Sequence, residues 1–193
     1  MRTFSKSFMT VFIKTPRLVL RTLNVKDAPS MFLYRSLPAI YRYQSFKPNT
    51  IKEVEHFITE NTQYFNKEGT WHQLAIELEE RLIGDIGLHF IGPMNLHCEI
   101  GYTVDPHFQH KGYGREAVGY VLKYLFEERK KHKVIASVDP ENIPSIKLLE
   151  DLGFKREGIL RKSIYEEKEW KDDLVYGMLE EEWEKIRLTK AAT

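Results

Sequence analysis

Two hydrophobic periodicities alternate along this chain and predict a mixture of strands and helices. Residues 17–22 and 96–104 alternate apolar with polar side chains, as half-buried strands do. Over 117–126 the apolar residues recur every three or four positions, which indicates a long amphipathic helix. The predicted order is a strand, two helices, three strands, a helix, a strand, a helix, two strands and a terminal helix.

Local signals place the ends of these elements. Asn24 is expected to cap a helix that begins near Val25 and ends at Pro38, and Thr50 opens a capping box for a helix over 51–65. The other elements are expected as a hairpin of 71–78 and 81–90, a strand over 133–138, a helix from Asn142 to Gly153, strands over 154–164 and 174–179, and a terminal helix over 180–188.

The segment between the strand over 96–104 and the long helix carries two glycines spaced one apart, Gly112 and Gly114. A strand that runs through such a loop into a helix aims several backbone N–H groups and the helix dipole at one point. That point favours an anion, above all a phosphate. A Rossmann fingerprint would need an N-terminal βαβ unit and a following acid, and a Walker loop would need G-K-[ST]; neither pattern is present.

Length and composition then limit the class of protein. A chain of 193 residues, 42% hydrophobic and 30% charged, predicts one globular domain over 1–193, in which 1–12 is compatible with a flexible leader. The net charge of +1 gives no general case for nucleic acid or a membrane surface as partner, and no apolar run has the length of a membrane span. The single cysteine, Cys98, is expected to be a buried, reduced thiol, and the cytoplasm is the expected compartment.

Several motifs occur in a fixed order along the chain. They are Thr15 to Arg21, Glu99 to Tyr102, Val104-Asp105-Pro106, the loop Gln109 to Gly114, Val138 to Ser145, Leu148 to Phe154, and Trp170 to Tyr176. The set resembles the GNAT superfamily of acyltransferases, and within it the subgroup that contains the ribosomal-protein N-terminal alanine acetyltransferases. The resemblance extends from Thr15 to about Trp183.

The resemblance implies an α+β fold of the GNAT type. In that fold one mixed, mostly antiparallel and strongly twisted central sheet has helices on both faces, and the strands ending near Val104 and Val138 splay apart to hold the cofactor. Acetyl-CoA is the implied co-substrate, and no metal is expected. His107 and His110 have no further ligands at metal-site spacing and are expected to be surface residues of the loop.

The resemblance also implies which residues hold CoA. Main-chain N–H groups of the loop would bind the pyrophosphate, the strand end would pair with pantetheine as an added strand, and an asparagine would contact the cofactor, cap its helix, or do both. These residues are Tyr102, Thr103, Val104, Gln109, His110, Lys111, Gly112, Tyr113, Gly114, Arg115 and Asn142.

Acyl transfer to an amine requires a neutral amine, a polarised thioester carbonyl and a proton for the departing thiolate. Glu99 is the candidate base, because it lies on the strand that ends at the thioester and on the opposite face from Ile100; the alternative is a solvated or ion-paired strand glutamate. A main-chain N–H near Val104 would polarise the carbonyl.

The proton donor is less clear from the resemblance. Many members of the superfamily use a tyrosine in the helix after the asparagine, but Leu149 stands at that position. Ser145 on the first turn of the same helix is the candidate substitute, and Tyr102 and Tyr113 are further candidates.

The sequence therefore predicts an acetyl-CoA-dependent N-acetyltransferase that acts by direct attack in a ternary complex. The alternative is a non-catalytic acyl-CoA-binding or regulatory module. The acceptor would be an amine on a small molecule or a protein N-terminus, and the protein a monomer or a homodimer. Two groups of side chains are candidates to border the acceptor: the aromatic Tyr41, Tyr43 and Phe46, and the acidic Glu166, Glu167, Glu169, Asp172 and Asp173. The alternative is that the aromatic residues belong to the core and the acidic residues to the tip of a polar hairpin.

Overall fold

A computed structural model describes residues 11–166 and 168–191. Eight strands and six α-helices lie in these two ranges. The strands are β1 (Phe12–Lys14), β2 (Val19–Thr22), β3 (Thr70–Leu78), β4 (Arg81–Ile91), β5 (His97–Val104), β6 (Lys133–Val138), β7 (Lys155–Glu166) and β8 (Glu169–Leu179). The helices are α1 (Ala28–Arg35), α2 (Pro38–Tyr41), α3 (Ile51–Glu60), α4 (Tyr113–Lys123), α5 (Ile143–Leu152) and α6 (Glu180–Ala191), and a π turn over Tyr124–Glu128 extends α4.

All eight strands form one sheet in the order β1-β2-β3-β4-β5-β6-β8-β7. Every neighbouring pair is antiparallel except β5 and β6, which are parallel. The predicted mixed, mostly antiparallel sheet is therefore confirmed. β8 lies between β6 and β7, so the order in the sheet departs from the order in the chain at this edge.

The parallel pair is joined over a short length only. Its register consists of His97 with Lys133, Cys98 with Val134, and Glu99 with Ile135. Beyond these pairs, the rest of β5 and the rest of β6 have no register with each other, so the two strands separate. The predicted splayed pair is confirmed, and it divides the sheet into a part built from β1–β5 and a part built from β6–β8.

Alternation along the strands assigns the helices to two faces. Leu74 and Ile76 of β3 belong to a core cluster that includes buried residues of α4 and α5, and we call this side the α4 face. Ala75, between them, belongs to a second cluster with buried residues of α1 and α3, and we call this side the α1 face. Cys98 lies on the α4 face as a buried free thiol, whose pKa burial raises to about 12. Helices on both faces were predicted and are confirmed.

A buried ion cluster fixes α1 to the sheet. The carboxylate of Asp85, on β4, is fully buried and accepts hydrogen bonds from Tyr34 Oη at 2.6 Å, Gln73 Nε2 at 2.6 Å and Arg35 Nε at 3.1 Å. Burial, and then the charge of Asp85, raise the pKa of Tyr34, so the phenol keeps its proton and donates it. Burial alone would lower the pKa of Arg35, but the charge of Asp85 reverses this and the guanidinium stays charged.

Two helix boundaries differ from the prediction. α1 ends at Arg35, and Pro38 occupies the first position of the separate helix α2, where its fixed φ and missing N–H are tolerated. α3 ends at Glu60, before the predicted residue 65. The reason is tertiary: the carbonyl of Asn61 accepts a hydrogen bond of 2.7 Å from the backbone N–H of Gln73, which draws the chain towards β3.

The chain ends also differ in detail. The predicted leader over 1–12 lies largely outside the described residues, but Val11 is buried and Phe12 begins β1, which pairs with β2. The last two strands are longer than predicted and continue to the hairpin of Glu166 and Glu169. Their outer residues are exposed, so the hydrophobic pattern that marks a strand is weak there.

Candidate active site

A cavity of about 930 Å³ opens where β5 and β6 separate. One part of its wall comes from the α4 face, through the loop after β5 and the starts of α4 and α5. The other part comes from the α1 face, through strand residues and the segment around α2. The cavity therefore crosses the sheet at its only parallel pairing.

The glycine loop forms the wall at the start of α4. His110 and Gly112 have positive φ values of 60° and 79°, and Gly112 is the residue that precedes the helix. The first N–H groups of a helix have no partner within it, so those of Gly114 and Arg115 extend the positive end of the helix dipole. Gln109 Nε2 donates to the carbonyl oxygen of Val104 at 2.9 Å, which holds the loop against β5.

Gly114 allows α4 to approach the splay closely. A Cβ atom at this position would lie 3.2 Å from the side chain of Leu148 on α5 and 3.5 Å from that of Val104 on β5. The absence of a side chain therefore brings the helix N-terminus next to both the strand end and the neighbouring helix. The predicted anion site and the predicted gap between strands lie in one place.

Arg17 holds the loop from outside, a role that the sequence reading missed. Its Nε lies 2.6 Å from Glu116 Oε2, its Nη1 donates to the carbonyl of Lys111 at 3.1 Å, and its guanidinium stacks 4.5 Å from the centre of the Tyr113 ring. Burial alone would raise the pKa of Glu116, but hydrogen bonds from Thr15 and Arg17 lower it, so the carboxylate stays ionised. The only sequence signal for this role is the segment from Thr15 to Arg17, and its pattern indicates no more than that a strand follows.

The start of α5 forms the wall on the other side. The Asn142 side chain caps this helix and accepts from the Ser145 N–H at 3.3 Å, as predicted for its capping role. Ser145 Oγ lies 2.8 Å from Tyr102 Oη, so two of the candidate proton donors form one hydrogen-bonded pair. Burial raises the pKa of Tyr102 to about 12. Leu149, at the position where a tyrosine was expected, is buried.

The structure brings together nearly all of the predicted CoA-binding residues. Each of them except Lys111 lines the cavity. Lys111 instead directs its amine to the carbonyl of His107 at 3.0 Å, while its own carbonyl accepts from Arg17. Contact of these residues with CoA stays a prediction.

Glu99 lies apart from the cavity lining. Its Oε2 is 3.3 Å from Nδ1 of His89 on the neighbouring strand, and the His89 ring stacks on Trp71 at 4.6 Å. This contact matches the alternative of a paired strand glutamate. The role of Glu99 as a base stays a prediction.

The α1 face supplies a second set of cavity residues. Tyr43 and Phe46 from the predicted aromatic stretch line it, as do Phe57 and Trp71, whereas Tyr41 does not. Phe46 and Phe57 stack with their ring centres 4.1 Å apart. These aromatic side chains give the cavity an apolar region on this face.

The acidic residues near the last hairpin separate into different environments. Glu166 lines the cavity and lies 3.4 Å from Lys47 and 3.8 Å from Lys171. Asp172 accepts from the backbone N–H of Lys162, away from the cavity, and Glu169 is exposed. Glu167 lies outside the described residues.

Asp173 is a buried acid that also lines the cavity. It is 6% exposed, and Oδ2 accepts a hydrogen bond from Ser137 Oγ on β6. Burial raises the pKa of Asp173, and the negative charges of Glu99 and Asp139 add to this, while hydrogen bonds from Ser137 and the backbone of Val138 oppose it.

No helix in residues 11–166 or 168–191 is long and apolar enough to cross a membrane. Within the same ranges, no group of three or more His, Cys, Asp or Glu side chains is arranged to hold a metal ion.

Comparison with known proteins gives consistent results. Residues 17–155 match the Acetyltransferase (GNAT) domain family. YnaD of Bacillus subtilis, an uncharacterized N-acetyltransferase, is 33% identical over 172 residues, which cover 89% of this chain and 98% of that protein. The [ribosomal protein uS5]-alanine N-acetyltransferase of Escherichia coli is 24% identical over 90% of this chain and 93% of its own. A crystal structure of a GNAT-family acetyltransferase from Bacillus anthracis superposes with a TM-score of 0.80 at 33% identity and covers 89% of this chain and 99% of that one.

Proposed function

Because the chain belongs to the GNAT acetyltransferase family, we propose that it transfers the acetyl group of acetyl-CoA to a primary amine by direct attack in a ternary complex. The observation that carries this proposal is the gap between β5 and β6, which opens beside the N-terminus of α4. A phosphate site and an unpaired strand edge at one place suit a ligand that has both a pyrophosphate and an amide-bearing arm.

The residues present fit CoA in three respects. The N–H groups at the start of α4 suit the pyrophosphate. The part of β5 from Tyr102 to Val104 has no strand partner on the side of β6, so its main chain can pair with pantetheine as an added strand. The cavity of about 930 Å³ has room for the end of this arm together with a small acceptor.

The chemistry requires no covalent enzyme intermediate. The nitrogen lone pair of the neutral amine forms a bond to the acetyl carbon, and the C–S electron pair leaves on sulfur. The acceptor enters as an ammonium and leaves as an amide, so it gives up two protons: one to a base and then to solvent, and one that balances the thiolate. A main-chain N–H near Val104 is the proposed donor to the carbonyl oxygen.

Tyr102 and Ser145 are the proposed hydroxyl groups at the departing sulfur. A phenol whose pKa is raised to about 12 holds its proton more strongly than an ordinary thiol, whose pKa is near ~8.5. The hydroxyl pair therefore stabilises the thiolate by a hydrogen bond, and solvent completes the protonation. Because Ser145 and Tyr102 share one hydrogen bond, either can turn its O–H towards the sulfur.

The test is CoA release from acetyl-CoA in the presence of a panel of amines, followed by mass spectrometry of the product. We expect thiol release that depends on the amine, and an acceptor mass raised by one acetyl group. Release at the same rate without amine, or a stable acetylated enzyme, would contradict direct transfer.

One observation favours a second candidate, a non-catalytic acyl-CoA-binding module. Leu149 is buried where many relatives carry the donating tyrosine, so the site lacks that group. This candidate predicts tight CoA binding by calorimetry with no amine-dependent thiol release from any member of the panel. The two candidates thus differ in turnover and agree in binding.

A further inference from the structure

Two buried polar atoms that line the cavity have no hydrogen-bond partner in the described structure. They are Oγ1 of Thr103 on β5 and Oδ1 of Asp173 on β8, and these residues are 4% and 6% exposed. A buried polar atom without a partner is unfavourable and is uncommon in folded proteins. A ligand in the cavity could satisfy such atoms.

Both atoms belong to the α1 face. Thr103 alternates with Tyr102 and Val104, which pack against the core of the α4 face, so its side chain projects from the opposite side. Ser137, which donates to Asp173, likewise alternates with Ala136 and Val138 of that core. The unpartnered atoms therefore lie across the sheet from α5.

Gly101 leaves open space at the same place. It alternates with Ile100 and Tyr102, so a side chain here would also project from the α1 face, and a Cβ atom would meet nothing within 4 Å. Gly101 lines the cavity between the positions of Glu99 and Thr103. The cavity thus has an open backbone position on the face to which Thr103 and Asp173 also belong.

Two acids that line the cavity, Asp139 and Asp173, have no ion pair among the described residues. Arg35 is paired with Asp85, and Lys171 lies 3.8 Å from Glu166. Together with the aromatic side chains of the same cavity, these acids suit a ligand that carries a positive charge beside an apolar group.

We propose that the acceptor binds on the α1 face, with its nitrogen at Asp173 Oδ1, and that the site takes small primary amines with an aromatic or aliphatic group next to the ammonium. This inference rests on the proposed acetyltransferase function and adds its acceptor site.

The same contact supplies the base. Asp173 Oδ1 takes one proton from the bound ammonium, and the nitrogen lone pair is then free to attack the acetyl carbon from the α1 face. The C–N bond forms as the C–S bond breaks, the second nitrogen proton balances the thiolate, and Asp173 passes its proton to solvent. Burial of this carboxyl favours its protonated form, which makes the carboxylate a stronger base than an exposed one.

The experiment compares Asp173→Asn, Thr103→Val and Gly101→Val with the wild-type protein, using phenethylamine, spermidine and an alanyl peptide as acceptors. We expect the wild type to prefer phenethylamine. Asp173→Asn should lower kcat by roughly 10²–10⁴-fold, the usual loss for a general base. Gly101→Val should raise the KM for the amine by filling its space, and Thr103→Val should raise it less. The CoA dissociation constant should stay unchanged in all three.

Glu169→Gln is the matched control, because it removes the same charge from the same strand at an exposed position outside the cavity. It should keep wild-type kinetics. Gly101→Val leaves Asp173 in place, so it tests the site even if Asp173→Asn does not fold. Saturation-transfer NMR of phenethylamine in the presence of CoA measures acceptor binding without turnover, and Gly101→Val should abolish that signal.

The outcomes separate this inference from the function on which it rests. An active wild type whose amine kinetics survive both Asp173→Asn and Gly101→Val would overturn the acceptor site. A larger loss in Glu99→Gln than in Asp173→Asn would place the base at Glu99 instead, and a preference for spermidine or the peptide would overturn the acceptor class. A wild type that binds CoA but acetylates no amine refutes the proposed function, and the acceptor site with it.

Discussion

The two faces of the sheet build their parts of the cavity by different means. On the α4 face the wall offers main-chain groups, namely the N–H groups at the start of α4, the left-handed Gly112 and the unpaired edge of β5, beside the side chains at the start of α5. On the α1 face it is made of side chains from β3, β5, β8 and the segment around α2. Main-chain groups depend on the conformation of the backbone, whereas side-chain groups change directly with a substitution. The two faces are therefore expected to respond differently to mutation.

The largest expected effect concerns the α1 face. Arg35→Ala should lower the free energy of unfolding by about 3–5 kcal/mol, because it leaves the buried Asp85 carboxylate without its counterion. Denaturant unfolding measures this. Arg42→Ala is the control, since Arg42 and Glu141 form an exposed pair whose loss should cost less than about 1 kcal/mol. Equal losses of unfolding free energy in the two variants would mean that the buried ion cluster contributes no more to stability than an exposed ion pair.

A smaller effect is expected on the α4 face. Gly112→Ala places a Cβ atom at φ 79°, which should cost about 1–2 kcal/mol and weaken CoA binding, because the loop must keep this conformation to present its N–H groups. Calorimetric titration with CoA and a thermal melt check both parts.

Gly119→Ala provides the opposite control for Gly112→Ala. Gly119 lies within α4, where a Cβ atom would make an ordinary contact 3.7 Å from Leu152, so alanine should stabilise the helix by about 0.5–1 kcal/mol. CoA affinity should not change. If both variants weaken CoA binding alike, the left-handed conformation is not what the site requires.

The smallest effect is a dependence of stability on pH. The pKa of Asp173 is raised by burial above its usual 3.8, so the folded protein binds this proton more tightly than the unfolded chain. The stabilisation is then complete below pH ~4 and is lost as the pH rises through the folded pKa. Asp173→Asn should therefore melt higher than the wild type at pH 7, and the difference should shrink as the pH is lowered towards 4. A difference that grows on acidification would reverse the sign of the shift.

The sequence predicted the α4 face well because its signals are local. Gly112 and Gly114 lie at the start of α4, and Asn142 caps the helix that begins at the next residue by accepting from the N–H of Ser145. Each of these conformations is therefore determined by residues that are close in the sequence. The order of most elements along the chain was also predicted from the hydrophobic periodicity. The splay of β5 and β6 was predicted from the family resemblance. The bounds of α1 and α3 did not, because the contact between Asn61 and Gln73 ends α3 from outside.

The cavity residues on the α1 face could not be predicted in the same detail, because they come from strands that are distant in the sequence and are brought to one cavity only by the order of strands in the sheet. Thr103 and Asp173 line the same cavity although β6 lies between their strands, and nothing local in either strand signals that order. Asp173 stood in the sequence as one of several acids near a hairpin, and its neighbour Asp172 bonds elsewhere. The signal that distinguishes them is burial, which appears only in three dimensions.

The three residue pairs that join β5 to β6 also carry a consequence for motion. Across this seam the halves of the sheet share few backbone hydrogen bonds, so the seam is a natural place for slow opening. A ligand arm that bonds to the strand edges there would act as a ninth strand. Amide hydrogen exchange should then slow on β5 and β6 when CoA is added, while β1 and β2 at the sheet edge keep their rates.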